Sequence, residues 1–479
     1  MEFRVKLTDE AEDDDAVFGN PGTASLKRRA TLLRYEEIHE SRDKELTQDG
    51  EKLVGFKPLR KTGVIYVTEQ AVKKGFSPSD PSWANFGQGA PETGDISGAP
   101  SRPKLVDIPP EFEEYAPVSG TADLRVAIAN YYNEWFRQGQ ATLYTADNVC
   151  VVPGGRAGLT RIMSCIENAM VGYFLPDYTA YSEALGLFQS IVPVPIPQSS
   201  KFGMEKQMPA NYLDELVSRM DLGAILMSNP CNPTGAVLRG RDLAAYVEIA
   251  RRWGCAMVMD EFYSHYLYLD DDELKDSGDP PMVSAAEFVQ DVNSDPVLLV
   301  NGLTKGWRLP GWRLCWVVGP KKHIDLISAA GSYLDGGANA PFQHAALPLL
   351  QHDYVRQDVL SLQAHFRAKR DYMLGELKKF RIHPRKCPEA TFYLWLDLSE
   401  LPDPINDGLE FCHELLEENA IVINGIWFDL SPRGLRRHAA YGPCANFIRL
   451  SYGPPMEELK VGVKAIERVC RKHGVETAM

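Results

Sequence analysis

The chain has 479 residues, 44% hydrophobic and 24% charged, with a formal charge of −14. That is the composition of an ordinary soluble globular protein, long enough for two or more structural domains. The acidity argues against nucleic-acid binding, which needs a basic footprint. The absence of an apolar run of about 18 residues argues against a membrane span.

The N-terminus opens on the acidic cluster Asp9 to Asp15, read as a surface arm. It lacks the basic-then-apolar pattern of a secretion signal, so a cytoplasmic location is expected. Residues 24–47 are charged with spaced leucines and predict an exposed helix. A second helix follows Thr62-Gly63 and ends near Lys74-Gly75, before a Gly/Pro loop at 85–91. From about 120 to 335, strands and helices alternate. The strands are read at 148–152, 171–175, 224–228, 256–260 and 297–300, with a helix at 157–170. This pattern predicts an α/β fold with a largely parallel sheet between helices. Residues 323–375 read as helical with breaks at Gly336-Gly337 and Pro341. The last hundred residues read as an α+β unit with strands at 391–396, 420–424 and 446–452 and a basic loop over 429–445.

The nine cysteines form no C-x-x-C pair and the ten histidines show no metal-ligand spacing, so reduced thiols and no metal are expected. Several short motifs carry chemistry instead. Thr304-Lys305, with Arg313 eight residues on, suits a lysine that holds an aldehyde beside a phosphate. Gly154-Gly155-Arg156-Ala157-Gly158 follows a strand and opens a helix, where backbone N–H groups can approach an anion. Tyr178, after the next strand, can lie flat on an aromatic ring. Asn229-Pro230-Cys231-Asn232-Pro233-Thr234-Gly235 makes a rigid turn that can aim the Asn232 amide at a ligand. Asp260 ends a strand and can keep a pyridine nitrogen protonated, with the Tyr263 phenol three residues on. Arg449 sits inside the apolar strand 446–452, where a substrate carboxylate is a natural partner. Each motif alone has a structural reading: a capping Asp, a core tyrosine, an internal salt bridge, a surface lysine.

Together and in this order, the motifs resemble the fold-type I pyridoxal-phosphate enzymes, specifically the class I/II aminotransferases, over roughly residues 60–479. The resemblance implies a large domain with a mostly parallel seven-stranded sheet between helices, plus a smaller α+β domain. It divides the chain into an N-terminal extension at 1–60, the N-terminal part of the small domain with a substrate loop at 61–110, a large cofactor domain at 111–340 and a C-terminal small domain at 341–479. By the same resemblance Lys305 would hold pyridoxal 5'-phosphate as a Schiff base and later carry the proton. Asp260 would pair with the pyridine nitrogen, and Asn232 and Tyr263 with the ring oxygen, while Tyr178 would stack on the ring. Gly155, Arg156, Ala157, Thr304 and Arg313 would hold the phosphate. Tyr115 would reach the phosphate of a neighbouring subunit, implying a homodimer with shared active sites. Arg449, Gly89 and Asn232 would bind the substrate, an amino acid or oxo acid.

Departures from the family pattern matter too. Gly302 stands where many relatives have serine, so one phosphate hydroxyl is missing. The stretch 329–341 has no arginine for a second substrate carboxylate, and Asp335 there hints at an amine-bearing substrate. The basic run 431–438 hints at the opposite. The leading expectation is transamination. The alternatives are a lyase or synthase that uses the same carbanion for elimination, replacement, cyclisation or C–C bond formation, and a non-catalytic sensor, for which the acidic N-terminus is poor material.

Overall fold

The computed structural model describes residues 63–197, 208–269, 278–429 and 442–476. The acidic arm, the helix expected at 24–47 and the basic run 431–438 lie outside these residues. Residues 61–437 and 443–479 make one compact unit; a second, of 1–60 with 438–442, falls almost wholly outside the described residues.

In chain order the unit opens with helix α1 (Gly63–Lys73) and strand β1 (Ala84–Asn85), then α2 (Ala122–Phe136) and β2 (Val149–Val152). Next come α3 (Gly155–Ser164), β3 (Ala169–Leu175), α4 (Ala180–Leu187), β4 (Ile191–Pro197), α5 (Ala210–Met220), β5 (Leu222–Ser228), α6 (Gly240–Trp253) and β6 (Ala256–Asp260). Strands β7 (Val297–Gly302) and β8 (Cys315–Val318) lead to helices α7 (Lys321–Leu334), α8 (Ala340–Ala345) and α9 (His352–Lys378). The chain finishes with β9 (Tyr393–Asp397), α10 (Gly408–Glu417), β10 (Ala420–Ile421), β11 (Ile423–Asn424), β12 (Phe447–Ser451) and α11 (Met456–Lys472).

Seven strands form the central sheet in the order β2-β8-β7-β6-β5-β3-β4. All neighbours are parallel except those of β8, which runs against both β2 and β7. The strands are apolar on both sides because helices cover both faces. Along β2, Cys150 and Val152 face one core while Val149 and Val151 face the other. Likewise Val258 faces the first core and Met257 and Met259 the second. Strands β11, β12 and β9 form a separate antiparallel sheet, and β1 pairs with β10.

Local differences from the sequence reading have physical causes. The helix expected at 157–170 ends at Ser164, and Asn168, at φ 52°, turns the chain so that β3 starts at Ala169. The apolar residues just beyond the helix belong to a buried parallel strand. The proline-rich Ile191–Pro197 is an edge strand bonded only to β3. Its prolines alternate, at 193, 195 and 197, so the missing N–H groups share one side of the strand, the arrangement an edge permits. Pro341 starts α8 instead of breaking a helix, since its absent N–H has no intrahelical partner to lose in a first turn. The strand expected at 420–424 is divided between two sheets.

Candidate active site

The carboxyl ends of β3, β5, β6 and β7 point at one cleft of about 540 Å³, the usual ligand position in an open α/β sheet. Of the residues singled out by sequence, Gly89, Gly155, Arg156, Tyr178, Asn232, Asp260, Tyr263, Thr304, Lys305, Arg313 and Arg449 all line it. Ala157 lies behind Arg156 in the first turn of α3. Tyr115 lies away from the cleft, 96% exposed.

Lys305 follows β7 and reaches across to the backbone carbonyl of Gly89, to which its Nζ donates. The Tyr266 hydroxyl fixes its backbone by donating to the Lys305 carbonyl at 2.8 Å. Burial, reinforced by the Arg449 charge, pulls the Lys305 ammonium down to about 7. Near neutrality the side chain is therefore half amine, as a nucleophile and proton carrier requires.

Asp260 ends β6 and is 5% exposed. Tyr181, on α4, donates to its Oδ2 at 2.7 Å. Burial pushes the carboxyl up to about 6, with the Lys305 charge working against the rise. A carboxylate so short of solvent gains strongly from a cationic partner.

The opposite end of the cleft is built for an anion. Gly154 adopts φ 108°, and a Cβ there would lie 1.9 Å from Arg313 Nη2, so only glycine lets the guanidinium close over the turn. Helix α3 starts directly after it with no side-chain cap, leaving N–H groups open for an anion. Thr304 Oγ1 lies 3.2 Å from Cys315 Sγ. Gly302 faces Cys315 across the β7–β8 pair, and a Cβ at 302 would meet the Cys315 Sγ at 2.6 Å. The missing hydroxyl at 302 thus has a steric cause.

Arg449 enters from β12, 1% exposed. It donates to Asn232 Oδ1 at 3.0 Å and to the Gly87 carbonyl at 2.7 Å, and its guanidinium lies 4.3 Å from the Tyr393 ring centre. Its Nε is buried without a hydrogen-bond partner. Among the described residues this buried guanidinium bonds only neutral groups, and a counter-charge is what an incoming carboxylate supplies. The Tyr263 and Tyr393 hydroxyls meet at 2.7 Å. A Cβ on Gly89 would strike the Tyr393 hydroxyl at 2.7 Å.

Sequence reading missed Tyr181, Tyr393, Asp177 and Ser228. Tyr181 was visible as a second aromatic three residues after Tyr178. Tyr393 sits in an apolar strand and gave no signal. The hint drawn from Asp335 meets a structural partner: its carboxylate pairs with the buried Arg161, whose Nε donates at 2.9 Å, so it joins α7 to α3.

The residues fit pyridoxal phosphate in charge and in order: an anion cup at Gly154 and Arg313, a buried carboxyl at Asp260, a lysine with a lowered pKa between them, and at Arg449 a guanidinium that among the described residues bonds only neutral groups.

Comparison with known proteins agrees. The family described as aminotransferase class I and II matches residues 81–466. A probable aspartate/prephenate aminotransferase of Aquifex aeolicus is 26% identical over 358 residues, covering 74% of this chain and 83% of the relative. A bifunctional aspartate aminotransferase and glutamate/aspartate-prephenate aminotransferase of Petunia hybrida is 27% identical over 370 residues, covering 74% and 70%. Among solved structures, aspartate aminotransferase from Thermus thermophilus with maleate superposes with a TM-score of 0.69 at 21% identity, covering 87% of this chain and 100% of that one. The chain belongs to the class I and II aminotransferases, has their fold-type I architecture, and is a transaminase.

Proposed function

We propose that the cleft holds pyridoxal 5'-phosphate on Lys305 and that a homodimer moves the amino group of an α-amino acid onto a 2-oxo acid. One observation carries this reading: Lys305 stands in a single cleft with the buried Asp260 carboxyl and with Arg449, which among the described residues bonds only neutral groups.

When bound, the cofactor supplies an electrophilic aldehyde and a ring that accepts the electron pair leaving Cα. The chain's own groups do the rest. Asp260 would hold the ring nitrogen protonated, and a cation there would draw its pKa back down. Arg313, Thr304, Arg156 and the N–H groups opening α3 would hold the phosphate, including those of Gly155 and Ala157. Tyr178 would cover one ring face, and Asn232 and Tyr263 would meet the ring oxygen. Arg449 would grip the α-carboxylate beside Gly87 and Gly89, so that the substrate's amino group can take the place of the Lys305 amine on the aldehyde carbon. The released amine is then placed to take the Cα proton and return it.

Two features support a dimer. Tyr115 is almost fully exposed, and Leu105 at 91% and Tyr333 at 73% are also large side chains left in solvent.

The test is direct. The purified protein given pyridoxal phosphate should turn yellow, and borohydride should fix the cofactor to Lys305 by mass. Aspartate heads the donor panel, because the relatives carry its name. A true donor should bleach the colour and leave pyridoxamine phosphate, whereas elimination chemistry would return the aldehyde. A colourless protein, or a Lys305→Ala variant that still reduces with borohydride, would reject the reading.

A further inference from the structure

Asp177 is a buried carboxylate outside the chemistry described so far, 4% exposed, between the end of β3 and Tyr178. Its Oδ1 accepts the Tyr178 backbone N–H at 2.7 Å and the Ser228 hydroxyl; its Oδ2 accepts the Ser228 N–H at 3.1 Å. Ser228 ends β5 directly opposite Asp260. Having given its only proton to Asp177, the Ser228 hydroxyl presents lone pairs, and it accepts the Asn232 N–H at 3.1 Å. Asn232 in turn holds Arg449. The chain of contacts is unbroken from the backbone of Tyr178 to the guanidinium of Arg449.

The direction of every bond is fixed. Three donors converge on Asp177, so the side chain must be acceptor-only to satisfy them all. An amide in its place would turn an NH₂ toward one of those donors. Burial raises the carboxyl to about 8 with the three bonds working against the rise, so the acceptor-only form prevails above that value, and variants are compared there.

We infer that Asp177, acting through Ser228, is a positioning residue that sets Tyr178 and the Asn232 turn in one register on the two sides of the cofactor slot, and through Asn232 orients Arg449 toward the substrate carboxylate. This rests on the cofactor reading above. It makes one device responsible for both cofactor retention and carboxylate recognition.

The experiment uses the full chain carrying pyridoxal phosphate, with Asp177→Asn and Ser228→Ala and the two combined. Hydrogen bonds to a buried charge are strong enough that each single change should speed cofactor dissociation and raise the amino-acid KM by roughly tenfold or more, with kcat less affected. Because both act through one chain of bonds, the double variant should be no worse than the poorer single variant by more than about twofold. Unchanged dissociation and KM, or effects that simply multiply, would overturn the inference. Ser228→Ala alone decides the matter if Asp177→Asn does not fold. A wild-type protein that takes up no cofactor would sink the cofactor reading itself, whereas a yellow, reducible wild type with indifferent variants would sink only this inference.

Discussion

Lys305 and Asp260 are opposite charges that burial weakens in opposite directions, and each makes a pH-dependent expectation. The Lys305 ammonium is pulled from 10.5 to about 7, so the amine is present above that value. Cofactor capture by the bare protein, followed by the growth of its yellow colour, should rise with pH through about 7 and then level off. A rate still climbing toward 10.5 would show a solvated lysine. Asp260 moves the other way, from 3.8 to about 6. A carboxyl with a raised folded pKa favours folding while protonated in both states, and this advantage is lost as pH rises through the folded value. Without cofactor, Asp260→Asn should therefore be more stable than wild type above about pH 6, by up to about 3 kcal/mol, with the difference growing from 3.8 upward. Urea melts at several pH values check this; turnover by the same variant should collapse. These roles were legible in sequence because each residue sits at a strand end beside Gly, Pro or an aromatic. Tyr393 was not, because an inward tyrosine in an apolar strand looks like core until its neighbour across space is known.

At the scale of elements, the site depends on a segment with almost no regular structure, residues 86–102, which carries Gly87 and Gly89. It is held from outside. Arg308, fully buried at φ 55°, donates to the carbonyls of Glu92 at 3.2 Å and Gly94 at 2.6 Å. Arg102 returns the contact by donating to the Trp307 carbonyl at 2.6 Å. Lys369 on α9 pairs with the Glu92 carboxylate, and His365 lies 3.2 Å from it. These bonds hold Glu92 down at about 2, although burial alone would raise it. Arg308→Met should remove the donors from two partly exposed carbonyls at a cost of about 0.5–1.5 kcal/mol each. It should raise the amino-acid KM through a loosened Gly87–Gly89 while Lys305 still captures cofactor; a KM unchanged within twofold would show that the segment needs no such hold. Strands β2, β3, β5, β6 and β7 were legible as short apolar runs. Strand β4 was hidden by its prolines and β8 by the loop-like run before it, since edge position and antiparallel pairing are decided by tertiary neighbours.

For the whole molecule, the alternation of strands and helices specified a parallel α/β sheet with ligands at the carboxyl ends, and the cleft lies there. Subunit association is the remaining step. Tyr115 sits outside its own cleft, so the dimer reading requires it to serve a partner. Sedimentation should show a dimer at micromolar concentration. Tyr115→Phe should leave that dimer intact and speed cofactor dissociation about tenfold, the worth of one hydrogen bond to a phosphate. A monomer that turns over at full rate would refute shared active sites.

The Gly302–Cys315 pairing ties the histories of two positions together. With the Cys315 Cα 2.5 Å and its Sγ 2.6 Å from where a new side chain would begin, position 302 is held to glycine as long as the two strands keep this approach. Gly302→Ser alone should overpack the strand pair by about 1–3 kcal/mol, and Cys315→Gly in the same chain should relieve only the part owed to the cysteine side chain, so a thermal-melt cycle on the two substitutions should show partial compensation. Among homologous chains, a hydroxyl at the first site should go with a β7–β8 pair spaced more widely at that point.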